Sequence, residues 1–393
     1  MSCYNYSFFF YFVAKASEDV KVSLKRKESD DSLVVEDTSK KQKKSTFFRS
    51  RINADKELWE KVSILKQDCR TAGVIPRLEP NFRKADTLSA YLCSPLTDHL
   101  STGLMDLGWG CGYRNCQMLM TFLERKKQDG EPLLKNVLDI SGIQLLIEKA
   151  WQEGFDTLGA AQLDHHVFKT RKWIGTTEVY TLLAYLGIRS TIIDFHQPGP
   201  QHLHHELMDW IQSYFMDSTT HKKSTKTVCI TNRPPLYLQH QGHSRTVVGI
   251  ELLKSGKRNL IMFDPGRRIL RNYRSSPNVE EPVESEEHIN DEDSEADDDD
   301  EEEIDILNHD DKKDNSISKR FLARLKHAPL PSSLLRPFRV DDKSIGKHKQ
   351  YQVLVLGQVD YQNGKMAWDS NKGYLLNEDE RERMKNVTSL AVM

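Results

Sequence analysis

Apolar positions recur with a helical period in the first half of this chain and bunch into short dense runs in the second. Met118, Leu119, Met120, Phe122 and Leu123 follow one another almost without a break, the signature of a helix packed on most sides. Ile140 to Gly154 sets Ile143, Leu146, Ile147 and Trp151 on one side, and Thr176 to Leu186 forms another helix ended by Gly187. Ala54 to Thr71 carries Leu58, Trp59, Val62 and Leu65 among charged residues, with Gly73 and Pro76 as a stop, which predicts an amphipathic helix. The later runs, Thr191 to Phe195, Thr227 to Thr231, Thr246 to Leu253, Leu260 to Phe263 and Tyr351 to Leu356, read as strands. Helices first and strands afterwards predict an α+β fold, with a helical half packed on an antiparallel sheet. There is no internal repeat.

Length and charge add the organisation. The 393 residues allow one large domain with tails. Residues 1–52 read as a disordered basic tail with two clusters, Lys25-Arg26-Lys27 and Lys40-Lys41-Gln42-Lys43-Lys44, spaced as a bipartite nuclear-import signal, so nucleus and cytoplasm are the expected compartments. Residues 53–77 hold the amphipathic helix, which packs on the domain or serves as a partner-binding arm. The compact region is expected over 78–362, and 363–393 as a C-terminal tail. From Glu280 to Asp305 there are 17 acidic residues and no lysine or arginine, so a net charge of −2 hides a remainder of +15. A run of that kind cannot bury enough apolar surface to fold, which predicts a disordered insertion at about 276–316. Whether the basic tail meets nucleic acid is left open by charge alone. The apolar start from Tyr4 to Ala14 is too short and too interrupted for a membrane span, so no membrane partner is expected, and the chain reads as a monomer.

The candidate chemistry begins at Gly108-Trp109-Gly110-Cys111-Gly112-Tyr113-Arg114-Asn115. Cys111 opens the buried helix, so its sulfur lies at the positive end of the helix dipole among unpaired N–H groups, which favours thiolate and supplies oxyanion donors. The other cysteines (Cys3, Cys69, Cys93, Cys116, Cys229) show no CxxC pair or regular spacing, so neither a disulfide framework nor a zinc site is expected. The histidines at 165, 166, 196 and 201–205 likewise lack partners at ligand spacing; a surface loop is expected there, with no metal and no cofactor. A thiolate nucleophile needs a base, and among 14 histidines His243 stands out at the mouth of the strand that includes Val247 to Ile250. A second strand ends in Asp264-Pro265-Gly266, and a hairpin would return Asp264 beside His243 to fix its tautomer. Gln239, four residues before His243, offers an amide to a developing oxyanion.

These segments, together with Trp173-Ile174-Gly175, Glu178-Val179-Tyr180, Leu238 to Thr246 and Lys347 to Gln352, resemble the cysteine-peptidase family of the ubiquitin-fold-modifier-specific proteases. The likeness is strongest to its ubiquitin-cleaving branch, whose members carry zinc fingers ahead of the catalytic domain. The resemblance implies a papain-like fold and hydrolysis of isopeptide bonds after the C-terminal glycine of ubiquitin. It implies Cys111 as nucleophile, His243 as base, Asp264 as its orienter and Gln239 as the oxyanion side chain. Asp156 and Glu178 match positions that would contact ubiquitin's arginine-bearing tail, and Trp109 would line the same path; alone, Asp156 reads as a cap and Glu178 as an exposed helix charge. Two departures stand out. The chain has no Cys/His spacing for zinc fingers, which puts in question the branch's taste for sixty-third-lysine-linked polyubiquitin, and the acidic insertion interrupts the domain. The modifier proteases proper place acid and base together as Asp-Pro-His, where this chain has Asp264-Pro265-Gly266, so ubiquitin is the expected partner. The alternatives are a protease for the ubiquitin-fold modifier and a non-catalytic ubiquitin-binding scaffold.

Overall fold

A computed structural model describes residues 55–66, 69–196, 204–216, 227–267, 269, 273, 331–362 and 364–391. The expected basic tail and acidic insertion lie outside the described residues. The helices that precede or interrupt the strands include α1 (Lys56–Lys61), α2 (Val74–Lys84), α3 (Cys111–Arg125), α4 (Ile140–Gln152), α5 (Thr157–Gln162), α6 (Thr176–Tyr185) and α7 (His205–Phe215). The main sheet uses β1 (Thr87–Leu92), β2 (Ser190–His196), β3 (Val228–Ile230), β4 (Leu236–His240), β5 (His243–Leu253), β6 (Arg258–Phe263), β7 (Arg339–Asp341), β8 (Gln350–Leu356) and β9 (Ser389–Ala391). Its order is β7-β6-β5-β4-β8-β2-β9. β4 pairs with the first half of β5 and β1 with the second half, so both continue the same edge. The sheet is antiparallel except at two margins, where β9 runs parallel to β2 and β3 parallel to β1.

Alternation along the central strands explains the layering. In β8, Val353 and Val355 join the core formed with α2 and α7, whereas Leu354 and Leu356 join the core formed with α1, α3, α4 and α6. Leu236 and Leu238 against Tyr237 in β4, and Ile193 and Phe195 against Ile192 in β2, divide in the same way. A strand buried on both faces is apolar at most positions, which is why the buried parts of these segments read as dense apolar runs. The α+β expectation holds, with helices on both faces. α3 lies deepest, with its residues from Cys116 to Leu123 all buried.

Several boundaries differ from expectation. The helix over 54–71 is only α1, capped by Asp55, whose carboxylate accepts from Leu58 N at 2.9 Å. After Val62 the chain extends, bridging Ile64 to Leu138 and pairing Arg70–Thr71 with His99–Leu100. Leu58, Trp59 and Val62 are buried in the α3/α4/α6 core, so the apolar stripe is spent on the domain. Pro76 does not stop a helix; it lies in the first turn of α2, where its missing N–H has no intrahelical acceptor to lose. The core therefore starts at Leu58 rather than at residue 78. The expected C-terminal tail is also structured. Tyr374 and Leu376 are buried, the helix Glu378–Arg383 is closed by Asn377 and Glu380 capping each other, and β9 completes the sheet edge. Its sequence is mostly polar, which hid these anchors. α2 and α7 were not foreseen either.

Candidate active site

Cys111 occupies the first position of α3, after Gly110. Two contacts fix that end. Arg114, one turn on, grips Asp106 through Nε to Oδ2 at 2.7 Å and Nη2 to Oδ1 at 2.9 Å, and Asp106 accepts from Gly103 N at 2.9 Å. The segment Lys172–Gly175 is laid across the start of the helix, with Tyr113 donating its hydroxyl to Lys172 O at 3.0 Å. Gly112 is required there, because a Cβ would fall 2.3 Å from Ile174 O. Glycine beside the thiol thus serves a close backbone approach.

The hairpin of β5 and β6 supplies the rest. Phe263 pairs with Thr246, so Asp264 comes back beside the start of β5, where His243 is the first residue. His243 Nε2 stands 3.6 Å from Asp264 Oδ1. The same carboxylate accepts from Arg245 Nε at 2.9 Å and Gly266 N at 3.0 Å, and Asp264 O lies 3.1 Å from His99 Nε2. Burial works against the Asp264 anion, but His243, Arg245 and the Gly266 amide outweigh it and hold its carboxyl well below the usual range. The contact with Asp264, followed by that with the Cys111 thiol, pushes His243 up to about 9 against its burial. Burial alone would raise the Cys111 thiol; hydrogen bonds with His243 and Ser244 prevail and lower it. Three groups that the sequence places 111, 243 and 264 residues along thus meet in one thiol–imidazole–carboxylate array whose shifts favour the thiolate, with the chemistry of nucleophilic attack on an acyl carbon.

The chain is matched over residues 86–298, more than half its length, by the model of Peptidase family C78. The chain belongs to that family. It is a cysteine-type peptidase. Zinc finger-containing ubiquitin peptidase 1 of mouse and of human are each 44% identical to it over 200 residues, half of this chain and 34% of theirs. Ubiquitin carboxyl-terminal hydrolase mug105 of fission yeast is 33% identical over 168 residues, covering 42% of this chain and 63% of that protein. The chain thus spans about a third of the length of the first two relatives. A crystal structure of UfSP from C. elegans aligns with 71% of this chain and 36% of its own at 12% identity and a TM-score of 0.32.

The remaining expected residues of this C78 peptidase lie at the ends of α5 and α6, on β4 and just before α3. Gln239 accepts at Oε1 from Thr176 N at 2.8 Å, bringing its carboxamide to the start of α6. Trp109 is half-buried, donates Nε1 to Met105 O at 3.0 Å and meets the Tyr113 ring edge-on. Asp156 caps α5, accepting from Gly159 N at 3.1 Å with φ of 42°. Glu178 is not the exposed helix charge expected of it alone; it is half-buried and accepts from Gly175 N at 2.7 Å. Burial raises the pKa of both carboxyls, and the Asp156 charge raises that of Glu178 further. Among the described residues no cation pairs with either. The histidines expected in a surface loop divide: His202 lies outside the described residues, while His204 is buried, with Nε2 against His348 O at 2.6 Å. Among the described residues no group of His, Cys, Asp and Glu could hold a metal.

Two residues escaped the sequence reading. Asn115, fully buried, donates Nδ2 to Cys111 O at 2.8 Å and Ser244 Oγ at 3.0 Å, and accepts from Thr246 Oγ at 2.8 Å. Ser244 is in turn one of the groups that lower the thiol's pKa. Their sequence signal is position alone: Asn115 lies one turn after Cys111 and Ser244 directly follows His243, and a buried amide needs partners.

Proposed function

We propose that this peptidase is a deubiquitinase that hydrolyses the isopeptide bond at the C-terminal glycine of ubiquitin. The array of Cys111, His243 and Asp264 is the observation that carries the reading, and the names of the relatives above supply the modifier. In this reading Cys111 Sγ attacks the glycine carbonyl carbon, forming the C–S bond, while Gln239 Nε2 and the N–H groups at the start of α3 take the oxyanion charge. As the C–N bond breaks, the His243 imidazolium gives its proton to the departing lysine amine. His243 then takes a proton from water, whose oxygen attacks the thioester carbon; the C–S bond breaks, returning the thiolate and releasing the carboxylic acid, which gives its proton to solvent. Asp264 keeps the imidazole oriented throughout.

Asp156 and Glu178 suit the basic tail of such a modifier. Two carboxyls whose pKa values burial raises, Glu178 further by the Asp156 charge, and which pair with no cation among the described residues, would gain bidentate, charge-assisted bonds from an arriving guanidinium. Trp109 belongs to the same approach. Preference for sixty-third-lysine-linked polyubiquitin, and residence in nucleus and cytoplasm, complete the proposal; the first rests on the resemblance, the second on the basic clusters at residues 25–27 and 40–44.

A ubiquitin C-terminal electrophile should label the wild type and leave Cys111→Ala unlabelled; an unlabelled wild type sinks the reading. C-terminal fluorogenic derivatives of ubiquitin and of the ubiquitin-fold modifier, compared side by side, decide the modifier. Asp264-Pro265-Gly266, with its histidine supplied from β5, leads us to expect ubiquitin to be turned over faster. Binding without turnover under reducing conditions would instead identify a scaffold.

A further inference from the structure

Gln239 can donate to an oxyanion only if its carboxamide is held the right way round, since its two ends are alike in shape and opposite in sign. A chain of side chains across the sheet decides which end points where. Gln352 on β8 stands in register between Gln239 on β4 and Asp194 on β2. Asp194 Oδ1 accepts from Gln352 Nε2 at 2.8 Å, and its other oxygen accepts from Ser389 Oγ on β9. A carboxylate only accepts, so Gln352 must turn its NH2 to Asp194 and its carbonyl the other way. That carbonyl, Oε1, accepts from Thr176 Oγ at 2.6 Å, which commits the threonine hydroxyl as donor. Thr176 is the first residue of α6 and is buried, and its N–H has no partner within the helix. It donates to Gln239 Oε1 at 2.8 Å. A backbone N–H only donates, so the Gln239 NH2 must face away from α6. Gly175 gives the carboxamide its room, because a Cβ there would fall 2.6 Å from Gln239 Oε1 and 2.8 Å from Nε2.

We propose that Thr176, tied through Gln352 to Asp194, is a positioning residue that aims the Gln239 amide donor at the developing oxyanion. This rests on the role given to Gln239 above. The hydroxyl anchors the first turn of α6 to β8, and that anchor sets where the Thr176 N–H meets Gln239. Cys111 and His243 are not part of this chain of side chains, so the device acts on the charge that develops during reaction and not on the readiness of the thiol.

The test compares Thr176→Val, which keeps the shape and loses the hydroxyl, with Thr176→Ser, which keeps it, and adds Gln352→Leu as a second cut in the chain. Each is assayed on the modifier derivative that the wild type turns over, and separately by the pH dependence of Cys111 alkylation with iodoacetamide. We expect Thr176→Val and Gln352→Leu to lose about 10-fold or more in kcat with KM within 2-fold, against the roughly 10²–10³-fold cost of deleting an oxyanion donor outright. The alkylation profile should not move, and Thr176→Ser should restore kcat. In a Gln239→Leu background, Thr176→Val should cost nothing further. Unchanged kcat in both variants overturns the proposal, as does a loss matched by slower alkylation, or an undiminished further loss in the Gln239→Leu background. Full activity of Gln239→Leu alone would instead remove the role of Gln239, and failure of the wild type to turn over any modifier would strike the function itself.

Discussion

A thiol and an imidazole, each the first residue of its element, depart from their ordinary acidities in opposite directions here. Cys111 titrates below the usual thiol value and His243 keeps its proton up to about 9. Turnover should therefore fall on the acid side as the thiolate is protonated, and on the alkaline side near pH 9 as the imidazolium is lost, giving a bell-shaped kcat/KM profile. A single sigmoid with no alkaline limb would contradict the pairing. Asp264→Asn keeps an acceptor for Gly266 N and removes the charge that raises His243, so the alkaline limb should move to lower pH and kcat should drop by roughly 10²-fold. An unmoved alkaline limb would show that Asp264 holds only the turn. The site was legible at this scale because each group carried a local mark: glycines around Cys111, a strand mouth at His243, a strand end at Asp264. Asn115 and Ser244 carried no comparable mark, since their importance comes from facing one another across 129 residues of chain. Thr176 and Gln352 were hidden for the same reason.

At the scale of elements, catalysis depends on holding α3 and β5 together. Asn115 bolts them, bonding Cys111 O on its own helix and Ser244 and Thr246 on the strand. Asn115→Ala leaves buried hydroxyls without their amide partner and should cost about 1–3 kcal/mol in urea unfolding. Its labelling by the electrophile should slow, because Ser244, which Asn115 holds, helps to lower the thiol's pKa. A labelling rate equal to wild type would confine Asn115 to stability. Strand positions were legible for an energetic reason: strands buried on both faces are apolar over most of their length, so Tyr351 to Leu356, interrupted only by Gln352, could be read without a partner. α2 and α7 were not, because α2 contains Pro76 and Pro80 and α7 follows a polar, histidine-rich stretch. α1 was over-read, because Leu65, four residues beyond the end of the helix, happens to continue its spacing while the backbone is already extended.

The domain as a whole is closed by its two ends, and this governs how its binding can be dissected. At the C-terminal side Arg189, buried on the step into β2, donates to Gly373 O at 3.0 Å and Leu375 O at 3.3 Å and pairs with Glu380 at 2.7 Å. At the N-terminal side Leu58, Trp59 and Val62 fill the core against α3 and α4. Burial of large apolar side chains is worth about 1.5–3 kcal/mol each, and a whole domain retains only about 5–15 kcal/mol. A chain starting at residue 76 should thus lose about half or more of its stability relative to one starting at residue 55. The check is a pair of thermal melts on these two chains, run beside digestion of di- and tetra-ubiquitin linkages. If the chain from residue 76 melts well below the chain from residue 55, any loss of linkage preference in it reports damage to the peptidase core and says nothing about a separate ubiquitin-binding arm. Equal melting temperatures would mean that α1 contributes little to the core, and a change in linkage preference would then belong to α1 as a binding element. Trp59→Ala in the full chain separates these outcomes again. It removes one anchor without shortening the chain, and it should lower the melting temperature while leaving the ranking of linkages as it was.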